Sequence, residues 1–162
     1  MQTHEGGHYA VRPIRPEDEP ALRRFADEID NRDLWHHFFV PLRARTHETA
    51  ARLSQIDYDR EMTLVAWQCE RVAGLTRAIA DPDFDEAECA VIIRADLREQ
   101  GLGRQLLEAL FGVIAAQGVR HAVMLFPEEQ TRIRAIADEL GFNVRPNEFG
   151  LHASKALQNP TR

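Results

Sequence analysis

Arg98, Gly101 and Gly103 stand at the spacing Arg-x-x-Gly-x-Gly, directly after the apolar run Val91-Ile92-Ile93. After them Leu106, Leu107, Leu110, Phe111 and Ile114 recur with a helical period. A strand therefore feeds a glycine turn that opens a helix. Free backbone N–H groups and the positive end of the helix dipole converge at such a turn, and glycines remove side chains that would hold a diphosphate away. Arg98 and Arg104 add positive charge at the rim. The chemistry expected here is the grip on a diphosphate-bearing ligand.

The elements that must position this turn read as one folding unit. Tyr9 to Ile14 forms a strand, and Pro16 opens a helix with Leu22, Phe25, Ala26 and Ile29 on one face. Thr46 caps a short helix that buries Ala50, Leu53 and Ile56. Met62 to Gln68 and Val72 to Ile79 form an antiparallel hairpin across Cys69, Glu70 and Arg71. Cys89 to Ile93 is continuously apolar, which places it in the middle of the sheet with both faces covered. The long helix stops at Gly118, Val119 to Phe126 is a strand, and Gln130 to Leu140 a helix ended by Gly141. Short strands around Val144 and from Leu151 to Ala156 close the order β-α-α-β-β-β-α-β-α-β-β. The expected fold class is α/β, a central mixed sheet flanked by helices. Residues 9–157 form its single domain, with flexible tails at 1–8 and 158–162.

Composition excludes several function classes. The chain has 162 residues, 44% apolar and 28% charged, the size and balance of one globular domain. A net charge of −6 speaks against nucleic-acid binding, which needs a basic face. No signal peptide opens the sequence and no long uncharged apolar run crosses it, so no membrane partner and a cytoplasmic location are expected. Cys69 and Cys89 form no Cys-x-x-Cys pair, consistent with a reducing compartment and no metal. The stretch Asp81-Pro82-Asp83-Phe84-Asp85-Glu86 imitates a calcium loop but lacks the glycine at its sixth position and has Ile92 at its twelfth. A monomer or weak homodimer is expected. Lys155 is the only lysine, which reads as composition bias.

Two familiar phosphate motifs fail at the glycine turn. No Gly-Lys-Ser/Thr follows, and a dinucleotide fingerprint would need glycine where Leu106 stands. What remains, Arg98-x-x-Gly101-x-Gly103 after a buried strand and before a long helix, resembles the signature of the GNAT superfamily of acyl-CoA N-acyltransferases. The resemblance implies that CoA's diphosphate lies on the backbone of Glu99, Gln100, Gly101, Leu102, Gly103 and Arg104. It implies also that the pantetheine arm pairs with the backbone of Val91, Ile92 and Ile93 like an added strand. The co-substrate implied is acetyl-CoA.

A longer segment, Pro41-Leu42-Arg43 through Leu53-Ser54-Gln55-Ile56-Asp57-Tyr58-Asp59-Arg60-Glu61-Met62, resembles the bacterial Pat-type protein-lysine acetyltransferases within that superfamily. The similarity runs from about Val11 to Phe142 and includes Arg12-Pro13-Ile14-Arg15 and Ala87-Glu88. Their GNAT domain is often fused to an acyl-CoA-synthetase-like region, and this chain is expected to be a stand-alone version or an excised one. Three departures stand out. His37 replaces an arginine before Phe38-Phe39, Gln130 replaces the asparagine that contacts the CoA arm, and the tyrosine that protonates the leaving thiolate is absent.

An alkylammonium acceptor has a pKa of about 10.4, so freeing its lone pair at pH 7 costs ~4 to 5 kcal/mol without a base. The resemblance marks Glu88 as that base, and partial burial beside Cys89 and Ala90 would raise its pKa toward the working range. A strand-end glutamate paired with an arginine is the alternative. The amides of Val91 to Ile93 could polarise the thioester carbonyl. Asp57, Asp59 and Glu61 are candidates for receiving the acceptor amine, against a plain role in capping and pairing. Cys89, flanked by apolar residues, reads as core, and so does Trp35-His36-His37-Phe38-Phe39. The acceptor is a protein substrate with an exposed lysine or a small amine such as a polyamine. A CoA-binding regulatory module without turnover is the reading from another class.

Overall fold

The apolar run ending in Ile93 takes its place in the middle of a seven-stranded mixed sheet. The computed structural model describes residues 8–29, 60–98, 100–148 and 150–158. Its strands are β1 (Ala10–Pro13), β2 (Glu61–Gln68), β3 (Arg71–Ala80), β4 (Glu86–Ile93), β5 (His121–Phe126), β6 (Asn143–Asn147) and β7 (Gly150–Ala156). They lie in the order β1-β2-β3-β4-β5-β7-β6, antiparallel at every step except β4 to β5. The helices are α1 (Glu19–Glu28), α2 (Leu102–Ala116) and α3 (Thr131–Glu139). The helix expected from Thr46 and the stretch Trp35 to Phe39 lie outside the described residues, as does most of each expected tail.

The sheet separates two apolar layers. Leu106, Leu107, Leu110 and Ile114 of α2 pack with Leu64, Ala78, Cys89 and Val91 on one face. Leu22 and Phe25 of α1 pack with Ile14, Val65, Leu75 and Ile92 on the other. Successive β4 residues thus enter opposite layers, which explains the unbroken apolar run. Each such Leu or Ile contributes about 1.5–3 kcal/mol through burial. Nearer its start β4 alternates instead: Ala87 is buried while Glu86 is exposed and Glu88 half-buried. The strand thus begins at Glu86, three residues before the expected Cys89, because the apolar run marks only its doubly covered part.

The first helix also starts later than expected. Pro16–Asp18 forms a single 3-10 turn, and α1 begins at Glu19 with Pro20 in its first turn. The side chain of Asp18 closes that turn, accepting the Arg15 amide at 2.8 Å and a bidentate pair from Arg12 at 2.6 and 2.8 Å. Burial works to raise the Asp18 pKa, yet these donors outweigh it and hold the carboxyl below its usual range.

Smaller features bear on the site. The β2–β3 register shifts between Ala66 and Trp67, which face Gly74 and Val72, so Ala73 bulges out of the pairing. In the β3–β4 connection, Asp81 Oδ1 accepts the Asp85 amide at 2.9 Å, so this acidic stretch is a self-bonded hairpin turn. Lys155 on β7 donates to the Leu140 carbonyl at 2.6 Å, at the end of α3, and lies 6.0 Å from the centre of the Phe111 ring.

Candidate active site

The glycine turn has the geometry its sequence demands. Gly101 is the N-cap of α2 at φ +86°, a left-handed conformation that a Cβ would strain. Its carbonyl accepts the Gln105 amide at 3.1 Å, and the amides of the first helical turn are left without intrahelical acceptors. Gly103 serves closeness rather than backbone freedom. A Cβ there would lie 3.2 Å from Ile136 Cδ1 and 3.5 Å from Ile93 Cγ1, so α2, α3 and β4 meet at this point.

Beside the turn lies a cavity of about 360 Å³. Val91, Ile92, Ile93, Arg98, Gly101, Gly103, Arg104 and Gln130 line it, so eight residues expected at the CoA site share one space. Gln100 and Leu102 are not part of its lining, and Leu102 is buried. Glu99 lies outside the described residues. Gln130 is the N-cap of α3, at the helix start where it was expected. The opposite wall was not legible in the motif: Arg132, Ile133, Ala135, Ile136 and Glu139 of α3 complete the cavity. The stripe at Arg132, Ile136 and Glu139, with helical spacing and unlike chemistry, was the available signal.

The sheet itself opens at this place. The parallel pairing of β4 with β5 covers Glu86 with His121, Ala87 with Ala122 and Glu88 with Val123, and goes no further. β3 continues to pair with β4 as far as Ile93. From Cys89 to Ile93, therefore, one edge of β4 is satisfied and the other carries no strand partner among the described residues. An extended polar chain can add to such an edge through main-chain hydrogen bonds.

Glu88 stands at the fork. It is half-buried, its Oε1 has no hydrogen-bond partner among the described residues, and burial pushes its carboxyl pKa up. No arginine pairs with it among the described residues, unlike the alternative reading of a strand-end ion pair. Its neighbour Cys89 is inert: burial pushes the thiol up to about 12, leaving it protonated at neutral pH.

Charge around the cavity is uneven. Among the described residues Arg98, Arg104 and Arg132 face it with a single acid, Glu139, in a chain of net charge −6. Arg98 Nε donates to the Ile93 carbonyl at 3.3 Å. Arg104 is shared between Glu108 at 3.1 Å and Glu139 at 3.8 Å, the latter contact joining α2 to α3. Asp57 and Asp59 lie outside the described residues. Glu61 is engaged by Arg77 at 3.0 Å, the pairing role weighed for it. Tyr9 is core and does not line the cavity, while Tyr58 lies outside the described residues. Among the described residues no group of three or more His, Cys, Asp or Glu side chains could hold a metal ion, and no helix is long and apolar enough to cross a membrane.

A mixed sheet that parts beside a glycine turn, with a cavity at the parting, defines the acyl-CoA N-acyltransferase class. The model of the Acetyltransferase (GNAT) family matches residues 28–142, and the chain belongs to that family of N-acetyltransferases. It is 28% identical over 142 residues to Acetyltransferase PA5475 of Pseudomonas aeruginosa, covering 85% of this chain and 76% of that one. The fold is similar to the GNAT domain of S. lividans PAT, with a TM-score of 0.87 at 19% identity over 97% and 95% of the two chains. It is similar also to the PaiA N-acetyltransferase of Thermoplasma acidophilum, solved in complex with coenzyme A, with a TM-score of 0.75 at 13% identity over 92% and 99%.

Proposed function

We propose that the protein transfers the acetyl group of acetyl-CoA directly to a primary amine, and that the amine is a lysine side chain of another protein. The observation that carries this reading is Glu88 at the fork, from which a β4 edge without a strand partner among the described residues runs on to Val91, Ile92 and Ile93 in the lining of the cavity at the glycine turn, a lining that does not include Glu88 itself. CoA's diphosphate rests on the amides of the first turn of α2, and its pantetheine arm pairs with Val91 to Ile93. The thioester then arrives near the fork. Glu88, kept basic by burial, takes the proton from the incoming ammonium. The freed amine attacks the carbonyl, polarised by the β4 amides, and the C–N bond forms as the C–S bond breaks; CoA leaves as thiolate, which takes up the second proton released by the nitrogen, without a covalent enzyme intermediate. The lysine acceptor is supported by the resemblance of the Pro41 to Met62 segment to Pat-type enzymes and by the agreement in fold with the GNAT domain of S. lividans PAT.

The test is to incubate the protein with labelled acetyl-CoA and cell lysate, then locate the label. Acetyl groups on lysine side chains of proteins are expected. Label confined to small amines would overturn the acceptor. Binding of acetyl-CoA with no transfer to anything would make the protein a regulatory module instead.

A further inference from the structure

Arg94 is the one basic side chain fully buried among the described residues, and the anion turn does not account for it. It follows the last residue of β4, where the chain leaves the sheet for the glycine turn. Its Nε donates to Asp96 Oδ1 at 2.7 Å, Nη1 to the Val72 carbonyl at 3.1 Å and Nη2 to Gln68 Oε1 at 2.6 Å. Its own amide donates to the Ala73 carbonyl at 2.9 Å. One side chain therefore ties the end of β2, the bulged start of β3 and the 3-10 turn Ala95–Leu97 together. Leu97 and Arg98, next in the chain, line the cavity, whereas Arg94 does not.

A guanidinium presents five donors in a fixed fork, so the positions of its acceptors and of its own backbone fix one another. A buried charge stripped of these partners is costly, so the arrangement resists drift. We propose that Arg94 is a positioning residue for acyl-CoA, setting the path from the β4 edge to the first turn of α2. This role rests on the acyl-CoA reading of the cavity. Pantetheine and diphosphate belong to one molecule, so the edge that takes the first and the amides that take the second must be in register. A misplacement of about 1 Å can cost an enzyme up to ~100-fold in rate, and two half-sites out of register also lose the gain of binding one molecule at both.

Calorimetry on the whole chain tests this with two probes: CoA, and its nucleotide half, 3′-phosphoadenosine 5′-diphosphate. Arg94→Lys keeps the charge but cannot span the acceptors, and should weaken CoA about tenfold or more while changing the nucleotide less than twofold. Asp96→Asn, at an exposed residue, should weaken CoA about threefold with the nucleotide again unchanged, and it carries the test if the lysine variant does not fold. CoA affinity within twofold of the parent in the folded variants would overturn the proposal, because a residue that only holds the fold lowers the melting temperature and leaves affinity alone. Equal weakening of both probes would also overturn it, since that reports collapse of the turn rather than loss of register. A parent protein giving no heat with CoA would sink the cavity reading itself, a result distinct from either.

Discussion

Glu88 of β4 and Val123 of β5 form the last parallel rung before the two strands separate. After that rung the β5-facing edge of β4 has no strand partner among the described residues, while its other edge stays paired with β3 as far as Ile93. The carboxyl at this boundary is half-buried, and that burial raises its pKa.

Replacing Glu88 by Gln should lower turnover by about 10² to 10⁴-fold while acetyl-CoA affinity stays within twofold, because only the proton acceptor is removed. Steady-state kinetics beside calorimetry decide the matter. Transfer at the parental rate would refute Glu88 as the base.

The pH dependence follows from the direction of the same shift. A base with a raised pKa loses activity as pH falls through a value above the normal carboxylate range, so kcat/KM should show an acidic limb there that Glu88→Gln lacks. For stability the sign is opposite to that of a salt-bridged acid. The folded state holds the Glu88 proton more tightly than the unfolded state, so ionisation destabilises the fold above the folded pKa and not below the unfolded one. Melting temperatures should therefore favour Glu88→Gln over the parent at pH 8, with the difference vanishing near pH 4. A variant no more stable at pH 8 would contradict the desolvation of this carboxyl.

At the turn, Gly101→Ala places a Cβ at φ +86°, a strain of about 1–2 kcal/mol. If the chain relaxes by moving the turn, CoA affinity should fall about 5- to 30-fold. Titration of the variant with CoA checks this, and unchanged affinity would mean that these amides do not hold the ligand.

Glu139 is the acid that shares Arg104 with Glu108 and faces the cavity from α3. Glu139→Gln should tighten CoA binding about two- to fivefold at low salt, since it removes a charge that repels the diphosphate and leaves Arg104 with Glu108 as its one acidic partner among the described residues. The gain should shrink at about 1 M salt, where charges are screened beyond ~3 Å. Weaker binding would show that Glu139 contacts the ligand favourably.

How much of this was legible depends on which contacts are local. The β4-turn-α2 unit was readable because Val91 to Ile93, Gly101 and the Leu106 to Ile114 stripe are contiguous and periodic. The fork was not, because where β4 and β5 cease to pair is decided between strands separated by a whole helix. The same applies to the start of α1. Pro16 and Pro20 both suit a first turn, and α1 starts at the second, after a 3-10 turn in which Asp18 is held by the Arg15 amide and the Arg12 side chain. Arg94 left a faint mark, an arginine ending an apolar run with Asp96 two residues on. Its acceptors Gln68 and Val72 lie on other strands.

Lys155 gives the chain an unusual property for work on lysine acetylation. It is the sole lysine, and its ammonium is already occupied by the Leu140 carbonyl. An acetyl-lysine antibody or mass shift should accordingly find this protein almost blank. Marks appearing in a reaction mixture would belong to the acceptors rather than to the catalyst, and self-modification would drop out as a background.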